Sequence, residues 1–95
     1  MISETIVPEF KTQQVSLGVT AERLGPIGMS KLYSGVKVKA ASDNTVAVYV
    51  GMDNQVAANG YELLAGESIK IPIDMLDKIW AVAASGTQTI HLLFA

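Results

Sequence analysis

The side chains able to do chemistry are few and scattered. His91 is the only histidine and there is no cysteine. A metal centre usually needs three or four clustered nitrogen, sulfur or oxygen ligands, so one imidazole without a thiolate cannot anchor one. Asp53-Asn54 lacks the alternating oxygen ligands of a dedicated calcium loop. Leu24-Gly25-Pro26-Ile27-Gly28 is glycine-rich, yet no Lys-Ser/Thr follows it into a helix, so it reads as a turn and not as a phosphate cradle. No catalytic residue, metal, cofactor or small-molecule substrate is expected, and the chain is not expected to be an enzyme.

What remains is recognition chemistry. Lys37 and Lys39, with Lys31 nearby, form a small basic stripe. Without interleaved aromatics it reads as the wet face of a strand, not a nucleic-acid platform. A net charge of −2 gives no electrostatic footprint for nucleic acid either. Trp80 is out of phase with Ile79, so in a strand the two point to opposite faces. Two readings of Trp80 stay open: core of a strand buried on both sides, or an interface anchor of the aromatic kind that dominates binding hot spots. His91 alternates with Ile90 and Leu92 and faces away from them, as an exposed or interface-edge residue. Trp80 and the last strand, through His91, Leu93 and Phe94, are the candidate subunit contacts.

The elements that position these residues follow from period-2 alternation. Val15, Leu17 and Val19 mark one strand. Val36, Val38 and Ala40 alternate with Gly35, Lys37 and Lys39 to give a strand with one buried and one wet face. Ser42-Asp43-Asn44 is a turn of residues that bond their own backbone. Val46, Val48 and Val50 follow, and the short connection predicts a hairpin between these two runs. Asn59-Gly60 suits a tight turn with positive φ, Tyr61 to Leu64 is a short strand, and Ala65-Gly66 turns again. Ile69, Ile71 and Ile73 face the core beside Val36, Val38, Val48 and Val50. Pro72 has no N–H to donate, which places it at a strand end or sheet edge. Asp74 to Asp77 fits one helical turn capped by Asp74. Residues 79–84 are apolar throughout, as a strand covered on both faces would be. Ser85-Gly86-Thr87 turns the chain into a last strand with Ile90, Leu92 and Phe94 on one face.

Seven or eight short strands at about 8–12-residue spacing indicate an all-β antiparallel sandwich or barrel. Residues 1–12, with Pro8 and mixed character, read as an N-terminal arm, or alternatively as an edge strand through Ile2 to Val7; residues 13–95 form the sandwich domain. At 95 residues one domain is expected, with a thin stability margin that partner subunits would widen. Charged residues make up 17%, against roughly 25% in typical domains, so part of the surface is expected to be covered in use. The start has no signal-peptide pattern and no run approaches the roughly 20 apolar residues of a membrane span, so the chain is expected to be made in the cytoplasm.

The stretch NTVAVYVG, a variable loop, and then GYELLAGESIKIPIDMLDKIWAVAASGTQTIHLLFA resemble, in order and spacing, a group of small tailed-phage virion proteins known as head decoration, cement or head-fibre base proteins. The resemblance covers residues 36–95; residues 1–35 fall outside it. It implies a compact jelly-roll-like sandwich and a structural role on the capsid surface of the virion, with the major capsid protein as partner. Some members of such groups sit at the tail or portal instead. A small sandwich that self-associates around a local three-fold axis of the shell would clamp three neighbours at once, so a homotrimer is expected. The rival from another class is a receptor- or carbohydrate-binding module of a phage fibre, which would show exposed aromatics on a concave face.

Overall fold

The structure, a computed structural model, describes residues 11–25, 32 and 35–94. Among the described residues eight strands form: β1 (Lys11–Leu17), β2 (Glu22–Arg23), β3 (Val36–Ala40), β4 (Val48–Gly51), β5 (Tyr61–Leu63), β6 (Ser68–Ile71), β7 (Trp80–Ala83) and β8 (Gln88–Phe94). A single helical turn, α1 (Val56–Asn59), lies between β4 and β5, and a 3₁₀ turn covers Leu76–Lys78 between β6 and β7. All pairings are antiparallel, and they nest: β4 with β5, β3 with β6, β2 with β7, β1 with β8. The chain is thus one long hairpin folded at α1. The hairpin wraps on itself so that β8 also lies beside β3 and β7 beside β4. Two four-stranded sheets result, ordered β1-β8-β3-β6 and β2-β7-β4-β5. That winding is a jelly roll.

The alternation seen in the sequence sets which side chains fill it. β3 buries Val36, Val38 and Ala40 and leaves Lys37 and Lys39 in water. Ile90 and Leu92 join them from β8, and Val48, Val50, Leu63, Ile79, Ala81 and Ala83 come from the other sheet. Each fully buried Val, Leu or Ile contributes about 1.5–3 kcal/mol relative to exposure. Ile69, Ile71 and Ile73 pack against this core as expected, but only half-buried, because β6 is the edge of its sheet. Pro72 follows the last residue of that edge strand, where no ladder bond is lost.

β7 is covered on both faces, as its unbroken apolar run requires. Ala81 and Ala83 point into the sandwich, and Val82 points out. There α1 packs across β4 and β7, and Val56 and Val82 are each 1% exposed. Two glycines make this approach possible. A Cβ on Gly51 would come within 3.1 Å of Val56 Cγ2, and one on Gly60 would collide with the Val56 carbonyl oxygen and Cγ2.

Several expectations are corrected. The hairpin between the 36–40 and 46–50 runs does not form. β3 and β4 lie in different sheets, because a strand has two edges and both edges of each are taken, β3 by β8 and β6, β4 by β7 and β5. Ser42-Asp43-Asn44 is a turn as expected, closed by the Asn44 N–H to the Ala41 carbonyl at 3.1 Å, but it leads between the sheets and is held there by side chains. Asn44 Nδ2 donates to the Thr89 carbonyl at 2.9 Å and Asn44 Oδ1 accepts from the Thr89 N–H at 2.9 Å, a side-chain copy of a β-bridge. Buried Gln88 accepts from the Thr45 N–H at 3.0 Å and donates to Thr45 Oγ1 and the Ser85 carbonyl, both at 3.2 Å. Asn59-Gly60 is not a positive-φ turn: Asn59 ends α1, Gly60 has φ −75°, and its glycine is needed for close approach. The 3₁₀ turn is preceded by Met75 in extended conformation, not by Asp74, whose Oδ1 pairs with Lys78 Nζ at 2.8 Å. Val19 lies beyond β1 and is exposed. Lys11 and Thr12, placed in the arm, are strand residues paired with Phe94 and Leu93. Residues 1–10 and Lys31 lie outside the described residues.

Candidate functional site

The outer face of the β1-β8-β3-β6 sheet is built by the residues out of phase with the core. Register puts Gln14, His91, Lys39 and Ser68 in one row across the sheet, and Thr12, Leu93, Lys37 and Lys70 in the next. A shallow groove of about 460 Å³ follows β8, with His91 and Leu93 along its floor, Thr12 and Gln14 on one flank and Lys37 and Lys39 on the other. Its chemistry is uneven: hydroxyl and amide on one side, ammonium on the other. Lys37 and Lys70 stand directly opposite each other, a like-charge cross-strand pair. Among the described residues no carboxylate points to this face, and none of the three lysines has a hydrogen-bond or ion-pair partner; the ion pair found is Lys78 with Asp74 on the connection after β6.

The outer face of the other sheet is different. Trp80 stands between Arg23 and Gly51 in register and is half-buried, with the Arg23 guanidinium 4.8 Å above its ring. Arg23 Nη1 also donates to the Asp77 carbonyl at 3.1 Å. Tyr49 Oη donates to Glu62 Oε2 at 3.3 Å. Trp80 therefore sits outside the sandwich core, and a charged side chain covers its ring.

The four candidate contact residues do not come together. His91 and Leu93 share the floor of the β8 groove. Phe94 points to the inner side of the same sheet and packs against the core. Trp80 lies on the opposite outer face. One flat interface can take His91 with Leu93, or Trp80, but not both.

A second surface lies where the edge strands β5 and β6 face each other across the open side of the sandwich. Met52 and Tyr61 are 62% and 60% exposed there. Met52 and Tyr61 line an apolar groove of about 180 Å³ with Ile69, Ile71 and Ile79. Sequence reasoning missed this seam, and it missed Lys70 as part of the basic stripe, because both depend on which strands end up as edges and neighbours.

No family model, curated protein or solved structure matches this chain. Among the described residues no group of three or more His, Cys, Asp and Glu side chains is placed to hold a metal ion, and no helix is long and apolar enough to cross a membrane. What the geometry offers is surface: a cationic groove on one face and an apolar seam on one side.

Proposed function

We propose that this chain is a structural protein of a tailed-phage particle, a jelly-roll domain that docks on the capsid exterior and stabilises it through protein–protein contacts. The observation that supports this most is the strand order β1-β8-β3-β6 over β2-β7-β4-β5, which agrees with the fold that the resemblance of residues 36–95 implies. The tight corners suit such a role. Asn44 and Gln88 lock a crossover with side-chain hydrogen bonds, and Gly66 and Gly86 turn with positive φ. The exposed seam of Met52 and Tyr61 is a surface that self-association would cover, in keeping with a homotrimer.

Mass spectrometry of purified particles, with the copy number set against that of the major shell protein, tests the reading. Many copies distributed over the shell support decoration. A handful at one vertex would move the protein to the portal or tail, and absence from particles would remove the virion role.

A further inference from the structure

The β8 groove carries more cationic character than the chain as a whole. The net charge is −2, yet Lys37, Lys39 and Lys70 gather on one outer face with His91 between the strands, and no described carboxylate points there. Placing Lys37 opposite Lys70 works against folding, since like charges directly opposite in a sheet repel. Among the described carboxylates, three are engaged away from that pair. Glu62 accepts from Tyr49 on the other sheet, Glu67 accepts from the Leu64 N–H, and Asp74 pairs with Lys78. A ligand bearing negative charge would relieve it.

We infer that the face formed by Lys37, Lys39, Lys70 and the groove over His91 and Leu93 is the docking surface for an acidic protein surface. This rests on the docking role proposed above and names its face and the chemistry of its partner. Charge complementarity selects the occupant. The groove is open and shallow, with the exposed Leu93 on its floor, and suits carboxylate side chains presented from another protein. Nucleic acid fits less well. Among the described residues the groove has no tryptophan, tyrosine or phenylalanine on which bases could stack, because Trp80 and Tyr49 lie on the opposite face, and the chain as a whole is acidic.

Fluorescence anisotropy of a short labelled poly-L-glutamate peptide, titrated with the full chain, tests this. A labelled DNA duplex is titrated in parallel. The variants are the triple substitution Lys37→Gln, Lys39→Gln, Lys70→Gln and the control Lys78→Gln. Exposed charge contacts are worth roughly two- to fivefold each, so the triple variant should bind polyglutamate about tenfold more weakly. Lys78→Gln should bind as the parent does, and added salt should weaken the parent more than the triple variant. Circular dichroism should show the triple variant folded and melting no lower than the parent. Equal binding by the parent and the triple variant, or no binding by the parent, would overturn the inference. Tighter binding of the duplex than of polyglutamate would overturn it in favour of nucleic acid. The titration needs no particle. Lysine-dependent binding by a protein absent from virions would remove only the particle role, whereas a virion protein indifferent to these lysines would dock by another face.

Discussion

At the scale of single residues, the fold depends on a few side chains that do backbone work. Asn44 closes a two-way bond with the Thr89 backbone where β3 leaves its sheet. Asn44→Ala leaves a partly buried N–H and C=O without that partner, and should cost about 1–3 kcal/mol in urea unfolding. Gly60→Ala should destabilise by about 1–3 kcal/mol, because its Cβ meets the Val56 carbonyl, a backbone atom that cannot swing away. Gly51→Ala should cost less, since its Cβ would meet the end of the Val56 side chain. Lys70→Glu makes the opposite prediction. It turns a repulsive pair with Lys37 into an attractive one and should raise stability by about 0.2–1 kcal/mol in the same assay. A decrease would show that the two ammonium groups do not meet. Neither Asn44 nor Gly60 could be assigned its role from sequence. Both are common turn residues, and the partners that give them their work, Thr89 and Val56, become neighbours only through the tertiary fold.

At the scale of elements, strands were legible and pairings were not. V-K-V-K-A and S-I-K-I state their own faces through period 2, and the unbroken run 79–84 states burial on both sides. Pairing is a long-range property. β1 pairs with β8 across nearly the whole chain, and no local signal records that. Proximity in sequence suggested a β3–β4 hairpin, whereas the nested order of the jelly roll put them in separate sheets. The same gap hid the basic face: Lys37 and Lys39 were readable as a stripe, but Lys70 joins them only because β6 lies beside β3. It also hid the seam, which exists only because β5 and β6 are edges. Edge position now changes an energetic expectation. Ile90→Ala, at a fully buried site in a central strand, should cost about 2–5 kcal/mol. Ile71→Ala, half-buried on the edge strand, should cost less than Ile90→Ala. Equal losses in denaturant melts would mean that a partner or a second copy covers the β6 edge.

At the scale of the whole molecule, the sandwich presents two unlike outer faces and an open apolar side. The groove face is cationic, the opposite face carries Trp80 under Arg23, and the seam exposes Met52 and Tyr61. Such a division lets one surface meet a shell while another meets a sister copy. If the seam is the subunit contact, the protein should sediment as a trimer of its 10.1 kDa chain, and Met52→Glu with Tyr61→Glu should return it to monomers without loss of β-type circular dichroism. Sedimentation of the parent as a monomer would leave the seam uncovered in solution. Electron cryomicroscopy of purified particles would decide the proposed role as a capsid-bound structural protein. Jelly-roll density should repeat over the capsid exterior, with the face of Lys37, Lys39 and Lys70 turned toward acidic side chains of the shell. Particles whose capsid exterior carries no such density would contradict it.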